Sequence, residues 1–188
     1  MLNTLAPRRT SLVLREQKAQ PSTFPTDVRD GTFEGYASLF DVMDQSGDIV
    51  RPGAFRSSLR RRGVGNVKLL YQHDAREPIG LWLDIREDGR GLFVRGRVLD
   101  QIARGREVLT LMREGVLDGL SIGFQILRAR KERLGVRSLI EIDLWEISLV
   151  TFPMLTGARV ARVKRAPRTV LSKTRSDAWR AADAVFKS

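Results

Sequence analysis

The sequence predicts a mostly-β fold of the α+β kind, a β-barrel with a few helices packed outside it. Three observations predict this. About seven segments show the alternation or short apolar runs of strands, against two or three with helical spacing. Glycine, proline and aspartate fall between those segments at short intervals, as turn residues do. Closing so many strands on themselves also removes the exposed sheet edges that an open sheet would leave.

The elements follow in order. Residues 1–30 mix Pro7, Pro21 and Pro25 with serine and threonine, show little periodicity, and read as a flexible basic arm. The domain runs from 31 to 164. TFEGYASLF (32–40) is a strand interrupted by Gly35. GDIVRPGAF (47–55) is a short apolar piece with a Pro52-Gly53 turn, and AFRSSLRRR (54–62) is a short helix. VKLLYQH (67–73), LWLDIRE (81–87) and GLFVRGRVL (91–99) are strands, with Pro78, Gly80, Asp88, Gly89 and Gly91 as the turn residues between them. ARGREVLTLMREG (103–115) is the best helix: Val108, Leu111 and Met112 share a face, and Gly115 is a stop. GLSIGFQILRARK (119–131) and RSLIEIDLWEISLVTF (137–152) are two long strands joined by the charged, hairpin-like KERLGV (131–136), and Pro153 ends the second. Residues 165–188 are a basic tail in which SDAWRAADAVFK (176–187) reads as a short helix, with Trp179, Ala182 and Phe186 on one side.

Composition excludes several classes of function. There is no cysteine, so disulfides and thiolate metal sites are out, and a single histidine rules out a His-rich zinc site. No apolar run is long enough to span a membrane, and MLNTLAPRRT lacks the apolar stretch of a secretory signal. No cofactor is expected, and the chain reads as an intracellular protein of a reducing compartment. The net charge of +11 suggests nucleic acid until it is located. Residues 1–20 contribute +3 and residues 159–188 contribute +7, leaving +1 for everything between. The excess belongs to the two ends, which read as tails that dock electrostatically rather than as a dedicated nucleic-acid site. Trp82, Trp145 and Trp179 are scattered and form no stacking platform for bases.

Gly119-Leu-Ser121-Ile-Gly123 spells G-x-S-x-G, the nucleophile elbow of α/β-hydrolases. That elbow needs a strand, a sharp turn and a helix, with the histidine last in the chain. Here the β-like alternation continues past Ser121, and the only histidine, His73, lies upstream. The hydrolase reading is rejected. A serine hydroxyl still needs an adjacent base, and the base an orienting group. Strand parity puts Ser121 on a face opened by Gly119 and Gly123, and His73 on a face with Val67, Leu69 and Tyr71. It puts Glu146 with Ile140, Ile142 and Leu144, where a carboxylate needs a partner. Ser121, His73 and Glu146 can supply nucleophile, base and orienting group. Each also has a plainer reading: a small strand residue, a structural histidine, and a carboxylate paired with an arginine such as Arg97 or Arg106. DVMDQSGD, with Asp41, Asp44, Ser46 and Asp48, loosely matches a calcium loop but lacks its bidentate glutamate, and reads as a polar turn.

Four segments together resemble the prohead (capsid maturation) serine proteases of HK97-like tailed phages and gene transfer agents. They are GYASLFDVMDQSGDIVRPGAF (35–55), LLYQHDAREPIGLW (69–82), DGLSIGF (118–124) and DLWEISLVTFPM (143–154), and they occur in family order over roughly 32–164. The resemblance implies an assemblin-like β-barrel surrounded by helices, similar to the herpesvirus protease. It implies a serine endopeptidase that works inside the assembling procapsid in the bacterial host cytoplasm. Its substrates would be scaffold, or the scaffold-like segment of the major capsid protein, and itself. Carried over by motif, His73 of QHD is the base, Ser121 of GLSIG the nucleophile and Glu146 of LWE the acidic member. Asp143 is close by, but parity favours Glu146. Assemblin also suggests a homodimer. After Thr151-Phe152-Pro153 the chain departs from the family with Met154-Leu155-Thr156, so the oxyanion donors stay unassigned, with backbone N–H groups expected. The alternative is a non-catalytic assembly factor that docks on scaffold through its basic ends.

Overall fold

A computed structural model describes residues 31–163. The elements are β1 (Thr32–Leu39), β2 (Asp48–Val50), α1 (Arg56–Arg62), β3 (Lys68–Tyr71), β4 (Asp74–Glu87), β5 (Gly91–Val98), α2 (Ala103–Arg113), β6 (Gly119–Lys131), β7 (Arg137–Val150) and β8 (Val160–Val163). The architecture is the mostly-β one expected, a curled sheet with two α-helices against it. The basic arm and the proposed tail helix lie outside the described residues.

The strand order is β2-β7-β3-β4-β5-β1-β8, with β6 paired to β7. Most neighbours are antiparallel, but β2 and β3 run parallel to β7 and share its length, β2 at residues 137–139 and β3 at 146–149. The curl brings β8, at one end of this series, against the start of β6. The Leu120 N–H donates to the Ala158 carbonyl (2.9 Å) and the Val160 N–H to the Asp118 carbonyl (2.8 Å). On its other side β8 packs tightly on β1 where Gly35 faces residue 159, because a Cβ at Gly35 would overlap the Arg159 carbonyl oxygen. The glycine interruption seen in the sequence therefore marks a close approach of two backbones.

Inside the curl lies one apolar core, including Phe33, Leu92, Leu120, Ile142, Leu144, Ile147 and Leu149. Trp82 packs edge-on to Phe33 at 5.6 Å, and its indole N–H reaches the Lys68 carbonyl. Helix α2 adds Val108, Leu109 and Met112; Leu109 extends the face read from the sequence, and Leu111 is only partly buried. No helix among the described residues is long and apolar enough to cross a membrane.

Three local expectations need correction. Pro78 and Gly80 lie inside β4 rather than between strands. Proline is tolerated there because the β3–β4 ladder is irregular on both sides of the Leu70–Pro78 pair. Among the described residues there are eight strands, the added one being Val160–Val163, which is too short and too close to the charged end to show a pattern. His73 is not a strand residue: β3 stops at Tyr71.

Candidate active site

The site grows from the β6–β7 hairpin. Ser121 pairs with Ser148 and Gly123 with Glu146, so these four lie on one face of the sheet. The other face carries the Leu120–Leu149 and Ile122–Ile147 pairs and turns to the core. Beyond Glu146 the ladder resumes at Phe124–Leu144, which leaves Trp145 as the extra residue of a β-bulge. The core-facing residues are Ile142 and Leu144 before the bulge, and Ile147 and Leu149 after it. The bulge thus moves Glu146 off the apolar face that simple alternation assigned to it.

His73 arrives from the opposite side of β7. The parallel β3–β7 pairing, Lys68 with Glu146 through Tyr71 with Leu149, carries the chain past the carboxylate. A two-residue turn follows, with Gln72 and His73 both left-handed (φ 53° and 60°) before β4 begins. Such a turn normally takes Asn-Gly, and Gln-His costs backbone strain. Gln72 offsets that cost: its amide donates to Thr151 Oγ1 (2.7 Å), and its backbone N–H donates to the Leu149 carbonyl (3.0 Å).

Here His73 Nδ1 lies 2.6 Å from Glu146 Oε1. A carboxylate only accepts, so Nδ1 carries the proton and Nε2 is left with its lone pair in the neutral ring. Ser148 Oγ donates to Glu146 Oε2 (2.7 Å) and accepts the His73 backbone N–H (3.1 Å). The hydrogen bond to Glu146 raises the His73 pKa above its ordinary 6.5, against the opposing effect of partial burial. Gly123 makes room for this arrangement. A Cβ there would overlap Glu146 Oε1 and lie 2.8 Å from its Cδ.

Of the three residues singled out in the sequence, the structure joins His73 and Glu146 directly and sets Ser121 on the neighbouring strand of the same face. Ser121 is buried, and its hydroxyl makes no hydrogen bond among the described residues. It lines a cleft of about 110 Å³ whose walls include Leu39, Val42, Ile122, Phe124 and Met154. Asp143 is engaged elsewhere. It is buried against Ser58, Arg61, Arg62 and the Trp145 indole, which hold its carboxyl well below the usual carboxylate range, the Arg62 hydrogen bonds most of all. Arg106 bonds the Asp100 and Gln101 carbonyls, so it is not the partner of Glu146. In the 41–48 loop, Asp41 pairs with Arg51, Asp44 accepts the Ser46 and Asp48 N–H groups, and Asp48 pairs with Arg137. That loop is the polar turn expected. Ser148 was missed in the sequence, where its only signal is a lone hydroxyl inside the apolar run Ile147–Val150.

Residues 17–173 match the family described as caudovirus prohead serine protease. The chain belongs to the caudovirus prohead serine protease family. It is similar to the prohead protease of Enterobacteria phage HK97, at 33% identity over 144 residues, covering 75% of this chain and 64% of the relative. The chain thus spans less than two thirds of that relative's length. Among solved structures it is similar to the capsid assembly protease of bacteriophage T4, with a TM-score of 0.55 at 14% identity, covering 68% of this chain and 92% of that one. That likeness shows a shared fold. A fainter one, TM-score 0.45 at 12% identity, is to the KSHV protease solved with a hexapeptide phosphonate inhibitor, covering 69% of this chain and 63% of that one.

Proposed function

We propose that the chain is a serine endopeptidase of procapsid maturation that cleaves scaffold, or the scaffold-like segment of the major capsid protein, and itself. It would act within the assembling procapsid in the host cytoplasm. The observation that carries this reading is the 2.6 Å hydrogen bond between His73 Nδ1 and Glu146, on the face that Ser121 shares.

In this reading Ser121 Oγ attacks the scissile carbonyl carbon and its proton passes to His73 Nε2. The imidazolium is held by Glu146 through Nδ1–H. Collapse of the tetrahedral intermediate expels the amine, which takes the proton from Nε2, and leaves an acyl-enzyme on Ser121. Water, deprotonated by the same nitrogen, attacks the ester; the C–Oγ bond breaks, Ser121 Oγ takes the proton back from Nε2, and the carboxyl product leaves. The mechanism requires a Ser121–His73 hydrogen bond in the substrate complex, where catalytic hydrogen bonds tighten.

The test is co-expression with the cognate capsid and scaffold proteins, beside Ser121→Ala and His73→Ala. Processing is expected to stop in both variants. Normal processing in both would leave a docking protein without chemistry.

A further inference from the structure

We propose that Ser148 is the positioning residue of this site: its hydroxyl ties the Glu146 carboxylate to the His73 main chain and so holds the imidazole with its proton on Nδ1. This rests on the reading of His73 as the base.

Ser148 is fully buried, between Ile147 and Leu149 on β7. A hydroxyl there is costly unless bonded, and both its capacities are used on this site. Its O–H goes to Glu146 Oε2 (2.7 Å), and it accepts the His73 N–H (3.1 Å). With the Nδ1–H bond to Oε1, the three residues close a ring: His73 amide, Ser148 hydroxyl, Glu146 carboxylate, His73 imidazole. Each bond fixes a different freedom. The Oε2 bond stops rotation of the carboxylate about its last torsion, so that Oε1 stays aimed at the ring. The amide bond grips a residue that sits on a left-handed turn, φ 60°.

Among the described residues, no other group hydrogen-bonds the Glu146 carboxylate or the imidazole. Lys68 on β3 is in register with Glu146 but exposed, and Asp74 on the turn is bound to Arg76. On β6 the facing residue is Gly123, which has no side chain. An orienting group that is itself hydrogen-bonded is how buried sites fix a histidine tautomer.

Because the chain has a single histidine, ¹⁵N-histidine labelling reports His73 without assignment. The full chain carrying Ser121→Ala, which blocks self-cleavage, is compared with and without Ser148→Ala at a pH where the ring is neutral. With Ser148 present, the Nδ1–H tautomer is expected to dominate. Without it, that fraction falls and the Nδ1 proton exchanges with water about tenfold faster or more. With Ser121 restored, Ser148→Ala is expected to lower kcat on a peptide substrate by about tenfold, with KM within about twofold. An unchanged tautomer and exchange rate, or an unchanged kcat, overturns the proposal. Should circular dichroism show that the alanine chain does not fold, Ser148→Cys keeps the volume with a weaker donor and is read the same way. If Ser121→Ala still processes capsid protein, the nucleophile assignment fails, while the imidazole spectrum still decides the role of Ser148.

Discussion

Glu146 and Asp143 lie three residues apart on β7, yet each is spoken for by a different part of the molecule. Glu146 holds His73, and exchanging it for glutamine removes the charge while keeping an acceptor. Glu146→Gln is expected to lower kcat roughly 10²–10⁴-fold with the fold intact. The same change moves the pH dependence. The imidazolium–Glu146 pair raises the His73 pKa above 6.5. Its contribution to stability is therefore complete below 6.5 and is lost as pH rises through the raised folded value. In the proposed mechanism activity runs the other way, because the neutral ring serves as the base: the rate is expected to climb through that same raised value. In Glu146→Gln the acidic limb of kcat/KM is expected to fall back toward 6.5; an unmoved limb would show that the carboxylate does not set it. Gly123→Ala makes a related point. The atoms nearest the new Cβ are Oε1, Cδ and Cγ of the Glu146 side chain, which can rotate aside, so stability is expected to change by about 1 kcal/mol, while displacement of the carboxylate is expected to lower kcat about 100-fold. Thermal unfolding beside a peptide assay separates the two effects. The sequence offered His73 and the two arginines as partners of Glu146, and His73 is the one found. The parity argument, however, relied on unbroken alternation, which the bulge at Trp145 interrupts. A bulge is set by how two strands meet, and single-strand periodicity does not carry that information.

At the level of elements, the long alternating strands were legible because their signal is local. What was not legible depended on partners far along the chain. β8 is four residues with no period of its own and becomes a strand because β1 pairs with it. The turn at Gln72 and His73 lacks glycine and asparagine, so it read as a continuing strand. Helix α1 is a third case. Its sequence RSSLRRR has no apolar stripe, and within it only Ser58 is buried. It is fastened by polar bonds instead: Ser58 Oγ accepts the Leu144 N–H (2.8 Å) and donates to Asp143, while Arg62 forks onto that carboxylate. Asp143→Asn is therefore expected to cost about 1–3 kcal/mol in urea unfolding. It should also speed amide exchange in 56–62, with kcat of the remaining folded protein little changed. A larger loss of kcat here than in Glu146→Gln would transfer the acidic role to Asp143.

For the whole molecule, charge and architecture separate. The central sequence is close to neutral and the excess lies at the ends, while every described strand falls within 32–163. Deleting 165–188 is accordingly expected to leave the thermal midpoint and the cleavage of a short peptide unchanged, and to reduce processing of co-expressed capsid protein. Equal loss on both substrates would place the tail in the core of the enzyme instead. The parallel pairing of β3 with β7 has a further consequence, one of timing. His73 and Glu146 are separated by 73 positions, and they meet only when two strands that no hairpin connects have found each other. Closing so long a loop is among the slower events of folding. Ser121, brought in by a local hairpin, reaches its place without that delay. A chain still being synthesised, with β7 not yet released, holds the serine and the histidine but no carboxylate to orient them. In the proposed mechanism, the pairing of His73 with Glu146 therefore waits on the completion of β7.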